Sequence, residues 1–470
     1  MKAVRSNRNV SPHGGVVPIL KKIKDFGIPQ VIRGCLGKRV EQSKFGYEDV
    51  FIAWILTALC GGSRLDHITK LKKKLAIIPG LKLPSHDTLG RVMKKLASEI
   101  FKHETTSKDY TAKAVTTSYD DNIILNRMLV KATKRMGILE EGVKYTIDID
   151  ATFLETDCAG SNYSGHHSKC GFSPLVCLIG DLPVNISLRS GNASPDFRLK
   201  ECLEQCIDIL EENKIKVGKV VSDGAGYNRS IIEMLDKRGI KFIIRARVSR
   251  YFKTMMHQLE TYKDWKQTEL KTAYHIRPCE IGEIRYRMTD IYGVYRIVAA
   301  RELIGVNKKF IEDIGESDRK RDVEIKLRDL DKKGLLKGHT KYPEGLWKEH
   351  KGYNYKVIIT NDFDKPPEEI IYDYNKRGNA ERKFDFMKND FGWRLPPFMN
   401  MNENTVFLIA ASLANNIFRG AMKVFKKHIP ELRLNARLKS FQFIFINVAC
   451  ELANGVYKFF NTDIAYEKII

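Results

Sequence analysis

Hydrophobic and polar positions change their period more than once along this chain of 470 residues. Residues 16 to about 110 read as helical. Positions 49–60 are strongly apolar, LDHITKLKKKL is a basic amphipathic segment, and SHDTLGRVMKKLASEIFK follows the break at PGLKLP. Ser85 or Asp87 can cap that last helix, and Arg91, Lys94 and Lys95 give it a basic side. Residues 111–140 read as a helical connector. The period then becomes two. In KYTIDIDATFLE, Tyr145, Ile147 and Ile149 fall on one face and Asp148 and Asp150 on the other. SPLVCLIGD and PVNISLRSG follow with a link short enough for a hairpin. A helix over 196–213, a strand KVGKVVSD ending at Asp223 before the turn GAGYN, a helix SIIEMLDKR and a strand IKFIIRARV complete the run.

Alternating stretches such as IRYRMTDIYGVYRIVAAREL and NYKVIITND then predict a β-rich insertion, broken by the highly charged positions 316–337. A helix carrying residues 374–388 comes next, opening after Pro366 and Pro367 and closing at Gly392. Two apolar helices, about 403–427 and 435–460, end the chain. The pattern predicts a mixed α/β fold whose core has three antiparallel strands extended by parallel ones. Its expected parts are 1–110, helical and DNA-binding; 111–140, the connector; 141–250, the first part of the core; 251–362, the β-rich insertion; 363–400, the helix completing the core; and 401–470, the C-terminal helices.

Charge narrows the class of partner. The excess of 80 Lys and Arg over 57 Asp and Glu, a formal +23, favours a polyanion and nucleic acid first. The scattered cysteines, several within apolar runs, suggest reduced thiols in a cytoplasm. No apolar leader follows MKAVRSNRNVSPHGG, and the apolar runs VFIAWILTALC and TVFLIAASLANNIF are shorter than the roughly 20 residues of a bilayer span, so no membrane partner is expected.

Candidate chemistry centres on carboxylates. On one continuous helix at 100° per residue, Tyr374, Arg377, Glu381 and Lys388 fall at 0°, about −60°, about −20° and about −40°, a single polar stripe. It suits a metal beside phosphates, or a solvated face with ordinary ion pairs. Two acids in one strand need a reason, because Asp is depleted from strands and costly to bury unpaired. An acid on a first strand, one at the end of a fourth and one on a later helix can gather at one sheet edge. Two divalent cations of the Mg2+ class, about 3.5 to 4 Å apart, would then bracket a scissile phosphate. Cys158, His166, His167 and Cys170 cluster as a zinc site would but match no standard zinc spacing, and His166, His167 and Lys169 are better read as loop residues facing DNA. Trp265 and Trp347 are candidates for stacking on a flipped base, or for core. GAGYN lacks the Lys and the spacing of a P-loop, so its glycines serve the turn that presents Asp223.

These fragments resemble the DDE transposases of bacterial insertion sequences, of the group with a ribonuclease-H-like core and a β-rich insertion before the final acid. Tyr374, Arg377, Glu381 and Lys388 match that group's signature at every interval. DIDAT resembles its first-acid strand, SDGAGYN its second-acid turn, RSGNASP the segment between, and LPSHDTLGR its N-terminal domain. The resemblance implies that Asp150, Asp223 and Glu381 are the catalytic, metal-binding triad holding two Mg2+ ions, or Mn2+. Asp150 is preferred because Ala151 and Thr152 follow it, with Asp148 as a supporting partner. Arg377 and Lys388 would grip backbone phosphates and Tyr374 add a hydrogen bond. The resemblance further implies cut-and-paste transposition on double-stranded DNA: cleavage at terminal inverted repeats and joining of 3′ ends to a target, commonly through a hairpin end and in a homodimeric synaptic complex. A cytoplasmic, nucleoid-associated bacterial protein is expected. The alternatives are a catalytically silent DNA-binding protein derived from a transposase, and a structure-specific nuclease.

Overall fold

The computed structural model describes residues 9–105, 115–247, 255, 258–259, 261, 265–271, 276–288, 293–303 and 353–470, without the side chains of 270–278, 302–303, 353–354 and 379–381. The chain forms two compact units, one of residues 1–221 with 379–470 and one of residues 222–378. Both helices and sheets build it, so the mixed α/β class holds.

In the first unit a short strand β1 (Val10–Ser11) precedes helices α1 (Val16–Asp25), α2 (Ile28–Leu36), α3 (Tyr47–Leu59), α4 (His67–Lys74) and α5 (His86–Lys95). Helix α3 is apolar on every side, and it is accordingly central: Val50, Phe51, Ala53, Trp54, Ile55 and Leu56 are all buried. Ser85 caps α5, its hydroxyl accepting the Thr88 N–H at 3.3 Å. The helical reading stops there. Residues Phe101–Thr105 form β2 and Val115–Asp120 form β3, with helix α6 at Ile123–Arg135, so a strand precedes the helix within the expected connector. β3 pairs with a strand far along the chain, a non-local contact that periodicity cannot reveal.

The strands that follow are β4 (Lys144–Ala151), β5 (Leu154–Glu155), β6 (Asn162–Ser164), β7 (Lys169–Phe172), β8 (Leu175–Ile179) and β9 (Leu182–Arg189), then helix α7 (Leu199–Glu212) and β10 (Lys216–Ser222). In the unit's main sheet the order is β10-β4-β8-β9-β3-β2. β4 runs antiparallel to β8, with Asp148 opposite Leu178 and Asp150 opposite Val176, and β8 and β9 form the expected hairpin. Asn126 of α6 locks onto β9: its Oδ1 accepts the Ile186 N–H at 3.0 Å and its Nδ2 donates to Ile186 O at 2.9 Å.

The second unit holds α8 (Arg229–Lys237), β11 (Lys241–Arg245), β12 (Lys266–Lys271), β13 (Ile276–Arg287), β14 (Val294–Leu303), β15 (Tyr353–Thr360) and α9 (Pro367–Asn375). Its sheet order is β12-β13-β14-β15-β11, with every one of these neighbours antiparallel, and α9 packs on it. The charged segment 316–337 and Trp347 lie outside the described residues.

Helix α10 (Ala380–Asp390) returns the chain to the first unit. The single helix expected over 374–388 is therefore interrupted: α9 ends at Asn375, Lys376–Asn379 form a 3-10 turn, and α10 begins after it. Gly378 and Asn379 are poor helix formers, and the tighter turn ends the common stripe. Helix α11 (Met401–Phe425), 25 residues, is long and apolar enough to cross a membrane, but it is buried against α3, α6 and β9. Its Asn416 Nδ2 donates to Thr133 Oγ1 at 2.8 Å and to Pro183 O at 2.9 Å, which satisfies a polar group in the core. The helix expected over 435–460 is replaced by a short α12 (Leu438–Phe441), a π turn at Gln442–Ile446 and a hairpin of β16 (Cys450–Ala453) and β17 (Val456–Phe459). Asn454 and Gly455 turn that hairpin at φ of 52° and 76°, the backbone that an Asn-Gly pair favours.

Candidate active site

The two acids of β4 meet different surroundings. Asp148 is 7% exposed, and its Oδ2 lies 3.2 Å from Lys383 Nζ in the first turn of α10. A buried carboxylate is costly without a counter-charge, and Lys383 supplies it. Asp150, one pleat further along the same face, is only half-buried, and its Oδ1 accepts the Ala151 N–H at 2.9 Å. The ion pair thus fastens α10 to β4 two residues before Asp150 and two residues after Glu381. Glu381 itself belongs to the first turn of α10, and its side chain lies outside the described residues.

The far end of α10 is held as firmly. Arg437 donates from Nε and Nη2 to the two carboxylate oxygens of Asp390, at 3.0 and 2.9 Å, and from Nη1 to Asp385 at 2.6 Å. Between these ends Lys388 is half-buried. Burial holds its ammonium below the usual lysine range, with Arg394 adding to the effect and Asp385 opposing it. Its charge reaches His167, whose imidazole is lowered by burial first, then by His166 and Lys388. His167 stacks on Phe153 with ring centroids 4.3 Å apart, so the loop between β6 and β7 lies by Lys388 and by the strand end that follows Asp150.

RSGNASP is organised by Arg189. Fully buried, it donates from Nε to Ser173 O at 3.0 Å and from Nη1 to Phe197 O at 2.6 Å. Burial pulls its pKa down to about 10.

In the second unit Asp223 stands one residue past β10, and its Oδ1 accepts the Ala225 N–H at 2.9 Å, capping the short turn Gly224–Gly226. The turn is crowded: a Cβ on Gly226 would lie 2.4 Å from Ser222 Oγ, so glycine is required there for space. Tyr374 on α9 is buried, and the Arg245 guanidinium at the end of β11 acts on its hydroxyl. Burial raises the Tyr374 pKa, the charges of Arg377 and Arg245 lower it, and Asp223 raises it. The charges of two expected residues, Arg377 and Asp223, thus act on a third, Tyr374, together with that of Arg245, which the motif omits. Arg245 was nonetheless visible in the alternation of IKFIIRARV, which puts Arg245 and Arg247 on one strand face. Arg247 touches the same turn, 3.8 Å from the Cβ position of Gly224.

Asp150, Asp223 and Glu381 are all carboxylates, and an all-oxygen donor set fits a hard divalent cation of the Mg2+ or Mn2+ class. Among the described residues, which include Cys158, His166, His167 and Cys170 but not the Glu381 side chain, no three His, Cys, Asp or Glu side chains are grouped to hold a metal ion. Trp265 does not offer a free face: Arg301 lies over its ring at 4.1 Å, and a Cβ on Gly282 would stand 3.1 Å from it. It is packed within the insertion.

Comparison with known proteins adds two findings. Residues 141–417 match the family model described as a transposase DDE domain. A cryo-EM structure of a piggyBac transposase synaptic complex with hairpin DNA is similar at a TM-score of 0.41, with 10% identity, over 91% of this chain and 79% of that one. No curated protein matches this chain.

Proposed function

The chain belongs to the DDE-domain transposases, and from that premise we propose that it cuts DNA at terminal inverted repeats and joins the freed ends to target DNA by metal-dependent phosphoryl transfer. Asp150, Asp223 and Glu381 act together as the ligands of two divalent cations, Mg2+ or Mn2+. When bound, such ions supply positive charge at the scissile phosphate and polarise the attacking water or 3′ hydroxyl. Arg377 and Lys388 hold neighbouring phosphates. The half-desolvated ammonium of Lys388 gains most from doing so, because an anion restores the solvation that burial removed. Tyr374, beside the charge of Arg245, donates its O–H to a phosphate oxygen. Asp148 serves to seat α10. The active assembly is a homodimer bridging two transposon ends.

The observation that carries this reading is the Lys383–Asp148 ion pair, which seats the helix bearing Glu381 on the strand bearing Asp150. The test is incubation of the full chain with linear DNA carrying the element's inverted repeats, with and without Mg2+ or Mn2+. Metal-dependent strand cleavage and joining are expected, both lost in Glu381→Gln. Binding without cleavage by the wild type would mark a silent DNA-binding protein, and cleavage without joining a nuclease.

A further inference from the structure

The first unit has a second basic feature, remote in sequence from the acids. Helix α4 places His67, Lys70 and Lys74 within about 60° of one another, three residues or one turn apart. They face a cavity of about 180 Å³ walled by Thr57 of helix α3 and Gly62 after it, and lined also by His13. Its lining includes four basic side chains and no acid. The inner wall is fixed: His13, 8% exposed, is hydrogen-bonded from Nδ1 to Asn447 Oδ1 at 3.0 Å. His67 is fixed as well, because its Nδ1 accepts the Ser63 N–H at 3.2 Å, which leaves Nε2 as the donor nitrogen. Lys74 lines the cavity, and its charge acts on both the His13 imidazole and the Cys60 thiol. Lys70 and Lys74 are exposed, and among the described residues no carboxylate pairs with either. Helix faces rich in lysine are commonly just solvated, but here the cations converge on a concavity with fixed walls.

We propose that this cavity is a phosphate socket, in which His67, Lys70 and Lys74 take one backbone phosphate of duplex DNA against the fixed wall that carries His13. Its size suits a single tetrahedral anion, and its lysines stand at the mouth while its two imidazoles are set by neighbours. The socket anchors duplex away from the acids, and it rests on the reading of the protein as a DNA-binding transposase. An isolated inorganic phosphate shares the chemistry, so the experiment separates the two sources.

The test uses the full chain and measures duplex affinity as a function of salt. Each phosphate contact contributes about 0.9 to the slope of log affinity against log salt. Lys70→Ala/Lys74→Ala is expected to lower that slope by about 1 and to weaken binding several-fold. Lys70→Arg/Lys74→Arg should retain the slope. Lys72→Ala/Lys73→Ala removes the same charge from α4 outside the cavity and should change the slope by less than half as much. An equal effect of the two alanine pairs would overturn the socket in favour of a diffuse basic surface. An unchanged slope would overturn it too. Loss of inorganic-phosphate binding in the first pair, read by phosphorus NMR, with duplex binding intact would assign the cavity to a free anion and also overturn it. In each of these cases metal-dependent cleavage by the wild type would leave the transposase reading standing. Absence of both duplex binding and cleavage in the wild type would end both.

Discussion

Lys383 Nζ lies 3.2 Å from Asp148 Oδ2, and both side chains are largely buried. The pair joins positions 235 residues apart in sequence. Removing the cation leaves a carboxylate desolvated without its partner, so Lys383→Met is expected to destabilise the chain by about 1–3 kcal/mol in urea denaturation. Adding Asp148→Asn should recover much of that loss, because the charge that needed compensation is gone. Additive losses in the double variant would show that the two side chains do not interact.

Tyr374 and Arg245 form a second coupled pair, close to Asp223. Tyr374→Phe should reduce strand cleavage about tenfold with little change in duplex affinity. Arg245→Ala should cost at least as much, and the combination little more than the worse single variant. Multiplicative losses would separate the two roles.

Lys388 combines a stability cost with a function. Its folded pKa lies below the ordinary 10.5, with burial as the main cause. Below the folded value the ammonium is charged in both states and the full burial penalty applies. As pH rises from the folded value towards 10.5, the native state releases its proton first and stability increases through that window. Lys388→Met should therefore raise the melting temperature at pH 7 while impairing cleavage. A lower melting temperature would contradict the desolvation account.

Arg437 closes the other end of α10 by gripping Asp385 and an Asp390 side chain with no solvent exposure. Arg437→Ala should destabilise the chain by about 2–4 kcal/mol, since it strands the Asp390 charge. Asp390→Asn in the same background should restore part of it. Calorimetry on the three variants measures this.

What could be read in advance depended on how local each signal is. Alternation in KYTIDIDATFLE marked β4, because one pleated face is buried whichever strand it meets. The uniformly apolar run at 49–60 marked a central helix for a similar reason. The break at Lys376–Asn379 was hidden, because the intervals between Tyr374, Arg377, Glu381 and Lys388 also fit an unbroken helix and only Gly378 and Asn379 argued otherwise. The C-terminal hairpin did carry a local signal, Asn454-Gly455, flanked by aromatic and β-branched residues that also fit an apolar helix. The partners of Asp148 and Tyr374, Lys383 and Arg245, are set by tertiary contacts that no spacing rule encodes.

Affinity cleavage of the protein reads whether Asp150, Asp223 and Glu381 act on the same metal ions. Iron(II) substituted for magnesium, with ascorbate and peroxide, generates radicals that cut the backbone near the metal ligands. Mass spectrometry should find cuts clustered at 150, 223 and 381, suppressed by excess Mg2+. Magnesium-sensitive cuts confined to one or two of these positions would contradict the account.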